Sequence, residues 1–582
     1  NMEHQYLVTE PLAEFAGSDF ELPVMRDPAT AGYYRQEQKA GLVGIYEHHG
    51  SREAWAGRGG FPEWDSENEL FEGDIDRIAP WLEKALERMP IFANAGIKRI
   101  INGAIPHTPD GNPLVGPAPG LRNFWQCCGS AIGIAQGAGT GKYLAQWMVH
   151  GDAEINMHCV DPRRFGAYAT PDYTRAKSFD DYENMFETPL PGREVHAGRP
   201  SRVTPLYAPL KSKGAVYTEV YGWERPKYFA PDGFEEKLQY RRNNVFDIVA
   251  EECRAVRERV GVMDLSSFAK FDVSGPGAEA LLDRLTANRL PRKQGGITLT
   301  HVLSENGRIE GEWTITRLGD DRFYVLSGAG TERMARDQLS LAAGADVEIS
   351  NVTDRYGMLV VAGPKSRDVL APLTDADLSN AGFRWLSGQE IEIAGIPVRA
   401  LRVNYVGELG WELHAPMADL ARLYDAIWAS GTEHGIADFG VQAVNSLRME
   451  KAYRGYAAEL TNEITLIEAD CQRFYAPDKG DFIGRAATEK VRQEGIVTKL
   501  VYGEVAATDC DIYGGEAVMQ GDRVVGVCTS GGYGHATGKS LAFAYVAPEI
   551  TEGLEVVVLG ERRALTLHDA PVWDPDNARQ KA

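Results

Sequence analysis

The run Gly129-Ser-Ala-Ile-Gly133-Ile-Ala-Gln-Gly137-Ala-Gly139-Thr-Gly141-Lys142 carries the strongest local chemical signal in the first third of the chain. Closely spaced glycines let a backbone approach a ligand, and the N-terminus of a following helix favours negative charge. It is not a Walker A loop, because Gln136 stands five residues before Gly141 and Tyr143 follows Lys142. It is not GxGxxG either, since Gly137-Ala-Gly139 continues as Thr140-Gly141-Lys142. Read alone, the run serves tight helix–strand packing as well as it serves a cofactor. Four further side chains could do chemistry: Tyr6, Glu312, Glu408 and Arg448. By themselves they read as a packed strand aromatic, a solvated strand carboxylate, an exposed hairpin charge and a guanidinium that could pair Glu450 or an anionic ligand. The twelve histidines form no HExxH and no metal-ligand cluster, and no GxSxG elbow is present, which removes zinc hydrolases and α/β-hydrolases.

The elements that must hold these residues show in the hydrophobic pattern. Asn1 to Val8 reads as a strand already under way. Ile75, Ile78, Leu82, Leu86 and Met89 mark one helix face, with Pro80 implying a kink or a late start. Lys142 to Val149 has helical composition, while residues 160–214 are polar and rich in Pro, Arg and Tyr. Arg322–Ser327 and Met358–Ala362 read as buried strands, and Ile391 to Ala400 as a hairpin about Ala394-Gly395. Val525, Val527 and Glu555–Leu559 mark strands in a glycine-punctuated C-terminal stretch.

A length of 582 residues suggests about four domains at roughly 150 residues each. With 43% hydrophobic and 9% aromatic residues the chain can bury several cores. A net charge of −22 would repel a phosphate backbone or anionic lipid, so neither nucleic acid nor membrane is expected as a partner. No apolar run is long enough to span a bilayer. Seven scattered cysteines without a CxxC pair imply free thiols in a reducing compartment, and a cytoplasmic setting is expected.

Two motifs at a definite interval sharpen the reading. Asn102-Gly103 and Thr108-Pro-Asp110-Gly111-Asn-Pro-Leu-Val-Gly116 precede the glycine-rich run as in flavoproteins of the glycine-oxidase and sarcosine-oxidase type. Further on stand Gly222-Trp223-Glu224-Arg225-Pro226, Gly261-Val-Met-Asp264, Val361-Ala-Gly-Pro364, Arg402-Val-Asn-Tyr405-Val-Gly-Glu408-Leu-Gly-Trp411, Leu447-Arg448-Met-Glu450 and Thr529-Ser-Gly-Gly-Tyr533. In this order they resemble the dimethylglycine and sarcosine dehydrogenase family, in which a flavin domain is fused to an aminomethyltransferase-like folate domain.

That resemblance implies an α/β and α+β multidomain fold. Its parts are a partial FAD-dependent amine-oxidase domain (1–160), a connecting module (161–214), a glycine-cleavage T-protein-like folate domain (215–490) and a C-terminal β-barrel (491–582). It implies oxidative N-demethylation of a small N-methylated amino acid, with FAD accepting hydride, tetrahydrofolate taking the carbon, and an electron-transfer protein as a possible partner. By analogy Asn102, Gly103, Asp110 and Gly133, Ile134, Ala135 and Gln136 belong to the FAD site. Tyr6 stands beside the amine with Glu10 four residues on, Tyr405, Glu408 and Arg448 bind folate, and Glu312 takes the place of a catalytic Asp. Two features depart from the family: no N-terminal GxGxxG unit can be matched, and Leu299 stands where relatives offer an aromatic residue. The first half of the flavin domain is therefore expected upstream of Asn1, and the chain alone is expected to bind FAD poorly. Two rivals remain, a regulatory protein of the same architecture and a folate-dependent demethylase without flavin.

Overall fold

Met2–Thr9 is buried on both faces, as befits the central strand of an antiparallel sheet. Its neighbours are Ala40–Ile45 on one side and Ile97–Ile105 on the other, with Gly32–Glu37 and Met25–Asp27 beyond Ala40–Ile45. The computed structural model describes every residue except Ser18 and Asn68. It forms two compact units, residues 1–115, 126–142 and 167–199 in one and residues 116–125, 143–166 and 200–582 in the other.

In the first unit, Leu7, Val43, Ile45 and Tyr34 point to one face of the sheet and are covered by Ile78, Leu82 and Ala85. These come from the helix Ile75–Arg88, whose N-cap Asp74 accepts from the Arg77 amide at 3.2 Å. The helix begins ahead of Pro80, so the proline lies inside it. The opposite face carries His4, Tyr6, Tyr33 and Tyr46. Gly44 makes room there: a Cβ on it would meet the Tyr33 ring at 2.1 Å.

In the second unit a six-stranded sheet runs Gly388–Ile393, Ile396–Leu401, Gly410–Pro416, Tyr356–Ala362, Val260–Asp264 and Ile436–Asp438. The hairpin at its edge turns through Ala394 and Gly395 with φ of 52° and 70°, the left-handed pair that a two-residue turn requires. A five-stranded sheet contains Ile297–Leu303 paired with Ile309–Gly319. Six strands from Lys499–Val505 to Glu561–Leu567 close into a barrel around Val518, Ala544 and Val556. No described helix is long and apolar enough to cross a membrane.

The glycine-rich run differs from expectation. The helix starts at Gly133 and continues to His150, so every glycine of the run except Gly129 lies within it rather than ahead of it. A Cβ on Gly133, Gly137, Gly139 or Gly141 would meet nothing within 4 Å.

Candidate functional sites

The polar face of the first unit is organised around His4. Its Nδ1 lies 3.2 Å from the Tyr182 hydroxyl, its Nε2 lies 3.1 Å from the Tyr33 hydroxyl, and its ring stacks on Tyr46 at 4.2 Å. Burial, then His107 and Arg77, drive the imidazole down to about 3, so it is neutral near pH 7. Tyr182 donates to Glu47 at 2.7 Å, and Arg77 joins Glu47 to Glu3 at 2.9 and 3.0 Å. Burial pushes the Tyr33 and Tyr182 phenols upward, which keeps both protonated. Tyr6 is half-buried on the same face, packed with Val8, Leu42 and Tyr33. The strand ends at Thr9, so Glu10 lies beyond it and does not share that face.

Asn102 is directed elsewhere. It pairs with Gln5 across the sheet, on the side of the Ile75–Arg88 helix, and donates to Glu3 at 3.1 Å and to the Glu72 carbonyl at 2.9 Å. Gly103 lies opposite His4. Asp110 is exposed and shapes its own turn, accepting from the Thr108 hydroxyl and the Asn112 amide at 3.1 Å each. A cavity of about 270 Å³ opens against Pro113, Cys127, Gly129, Gly133 and Gly137. Gln136 accepts from Ser130 at 2.5 Å beside it, while Ile134 is fully open to solvent and Ala135 is exposed. A larger recess of about 720 Å³ lies over Glu3, Arg52, Trp55 and Arg175. Arg52 and Arg175 already pair with Asp74 and Glu53 at 2.7 and 3.0 Å, which weakens them as carboxylate receptors.

The second unit gathers the other set. Tyr405 is 38% exposed and stacks on Tyr453 with ring centres 5.6 Å apart. Burial pushes its phenol upward; Arg448 opposes this, while Glu312 and Glu459 add to it. Tyr405, Arg448 and Glu312 therefore share one electrostatic neighbourhood. Arg448 does not pair with Glu450. Its guanidinium reaches Glu459 at 3.3 Å, Ser530 at 2.9 Å and the Tyr453 carbonyl at 3.1 Å, whereas Glu450 pairs with Arg257 at 2.8 Å.

Glu408 is 1% exposed, not a hairpin surface charge. It lies in the loop between Ile396–Leu401 and Gly410–Pro416 and accepts from Arg257 at 2.8 Å, Arg579 at 2.6 Å and Trp573 Nε1 at 3.0 Å. Burial raises its carboxyl, with Arg257 and Arg579 opposing. None of these three partners stands near it in the sequence, and no local pattern points to them. Glu312 faces away from Ile309, Trp313 and Ile315 as alternation requires, and its Oε2 lies 3.3 Å from His301 Nε2. Glu310, two residues earlier on that face, is raised to about 7 by burial, against Arg163. Among the described residues no group of His, Cys, Asp and Glu is arranged to hold a metal.

Comparison with known proteins settles the lineage. "FAD dependent oxidoreductase" matches residues 1–147 and its central domain residues 150–204. "GCVT N-terminal domain" matches 206–479, and "Glycine cleavage T-protein C-terminal barrel domain" matches 497–574. Mouse mitochondrial dimethylglycine dehydrogenase is 39% identical over 593 residues, covering 100% of this chain and 68% of the relative. The chain belongs to the dimethylglycine and sarcosine dehydrogenase family.

Mouse mitochondrial sarcosine dehydrogenase is 30% identical, with the same coverage of 100% and 68%. The solved aminomethyltransferase T of Bartonella henselae matches with a TM-score of 0.55 at 23% identity, over 64% of this chain and 98% of that one, and shows the fold. This member of the dehydrogenase family is an FAD-dependent oxidoreductase, and its flavin and T-protein domains set FAD and tetrahydrofolate as the cofactors. The chemistry of the wall at Gly129–Gly141 is compatible with a flavin, since Gly133, Gly137, Gly139 and Gly141 leave open space for a flat ring to approach the backbone. Both rivals give way to this assignment. The cytoplasmic expectation is corrected as well, because the dimethylglycine and sarcosine dehydrogenases it resembles are mitochondrial. All seven cysteines are free, but free thiols mark a reducing environment without saying which compartment provides it.

Proposed function

We propose that the enzyme oxidatively removes an N-methyl group from a small amino acid of the dimethylglycine or sarcosine type and delivers the carbon to tetrahydrofolate. When bound, FAD takes hydride from the N-methyl carbon and tetrahydrofolate supplies the nitrogens that capture that carbon. The dehydrogenase character of the named relatives supports an electron-carrier protein rather than oxygen as the final acceptor.

The protein's part on the oxidative side is a face of neutral donors. Tyr6 and Tyr33 can offer hydroxyls to an amine, and the uncharged His4, its ring nitrogens engaged by Tyr33 and Tyr182, adds no positive charge where one is about to form. On the transfer side, the observation that carries the reading is the Tyr405–Tyr453 stack, with Arg448 bonded to the Tyr453 carbonyl and Glu312 within electrostatic reach of Tyr405. Aromatic faces suit a flat heterocycle, and a carboxylate steadies developing positive charge. Glu408 can serve pterin recognition by exchanging its Trp573 and Arg579 donors for the pterin's own N–H groups.

The test uses full-length enzyme and dimethylglycine, sarcosine and bulkier N-methyl amines as probes. Anaerobic flavin bleaching reports oxidation, and the ratio of methylenetetrahydrofolate to free formaldehyde reports transfer. Bleaching with formaldehyde as the sole product at saturating tetrahydrofolate defeats the transfer half. Absence of bleaching with every small N-methyl amino acid defeats the whole reading.

A further inference from the structure

His301 is 0% exposed, yet neither ring nitrogen has a hydrogen-bond partner. Buried polar groups are ordinarily paired, so an unpaired imidazole in a folded sheet calls for a reason. It is cross-strand partner to Glu312, with Nε2 3.3 Å from Oε2, and the Phe474 ring lies 5.6 Å from its own. Glu312 keeps a quarter of its side chain exposed, whereas His301 across from it is completely buried. A long carboxylate on a half-open face has several rotamers available, and an imidazole anchored beside it selects among them.

We infer that His301 is a positioning residue for one-carbon transfer: its Nε2 stands 3.3 Å from Glu312 Oε2, and a small turn of the carboxylate completes an Nε2–H···Oε2 hydrogen bond that fixes its orientation toward Tyr405 and Arg448. This rests on the transfer reading above. A hydrocarbon at 301 leaves Glu312 present but undirected, whereas a side chain that returns an N–H near the Nε2 position restores it.

The test compares His301→Leu and His301→Gln in the full-length enzyme, alone and combined with Glu312→Gln. Dimethylglycine is the substrate and tetrahydrofolate the acceptor. In His301→Leu, flavin reduction should stay within about twofold of wild type while the formaldehyde share of product rises about tenfold; His301→Gln should recover most of the loss. Adding His301→Leu to Glu312→Gln should change the partition no further, because a residue acting through another has no effect once that other is removed. A second readout needs no turnover: selective ¹⁵N-histidine NMR of the ligand-free chain should show the His301 Nε2 signal move in Glu312→Gln. Wild-type partition in His301→Leu, additive losses in the double variant, or an unmoved Nε2 signal overturns the role. If His301→Leu does not fold, the partition in His301→Gln and the Nε2 signal decide it. If wild type itself forms no methylenetetrahydrofolate, the transfer reading has failed rather than this one.

Discussion

Glu310→Gln should stabilise the protein at alkaline pH and hardly at all in acid. Burial lifts the Glu310 carboxyl from its ordinary 4.5 to about 7; Arg163 opposes, while Asp161 and Asp152 add to the rise. Its Oε1 has no hydrogen-bond partner. An acid raised by folding keeps its proton in the native state after the unfolded chain has lost it. The native state is therefore unpenalised below 4.5, loses stability as pH climbs through about 7, and levels off above. Across that span, at ~1.4 kcal/mol per pH unit, the penalty reaches about 3 kcal/mol. Glutamine preserves the shape and never ionises. Wild type and variant should melt together near pH 5, and the variant should lead by roughly 5–10 °C near pH 8.5. Calorimetry across that range measures the difference directly. Parallel melting curves at every pH would refute the burial argument and show that water or movement solvates Glu310.

Removing Arg257 strips the common cation from Glu408 and Glu450, so Arg257→Met should cost about 3–5 kcal/mol, read by denaturant unfolding. A loss below 1 kcal/mol would mean that Arg579 and the Ala536 and Thr537 amides suffice. Trp573→Phe deletes one donor to Glu408 and should tighten tetrahydrofolate binding severalfold by fluorescence titration, for about 1–2 kcal/mol of stability. Unchanged affinity would remove Glu408 from pterin recognition. Tyr6→Phe should slow flavin reduction about 10-fold in stopped flow and leave folate binding intact; unchanged kinetics return Tyr6 to packing alone.

What could be read from the residues was local. Met358–Ala362 emerged because a strand buried on both faces is apolar throughout, and the hairpin at Ala394-Gly395 because its turn dictates residue type. Ordered motifs fixed the family for the same reason, each being a short stretch with its own geometry. Partnerships over long separations left no trace. Arg257 sits on an ordinary amphipathic helix, and nothing there announces carboxylates 151 and 193 residues away. Arg448 offered Glu450 two residues on, but residues so spaced do not face each other on a helix, and Glu459 from the following loop takes the place. The Gly133–His150 helix starts earlier than its composition suggests, because glycine propensity argues against helix at the very positions that form its first turns.

That helix carries a kinetic consequence. Gly133, Gly137, Gly139 and Gly141 each forfeit about 1 kcal/mol against alanine, some 4 kcal/mol within its first half. The same half exposes Ile134 completely and buries no side chain, so beyond the hydrogen bonds of Gln136 and Thr140 little packing offsets the loss. Its amides should exchange with deuterium on the timescale of local fraying, while the half around Trp147 exchanges with the bulk of the protein. A ligand seated against those glycines would slow the fast set alone, so flavin capture would register as the completion of a helix, and its affinity would carry the cost of ordering those turns.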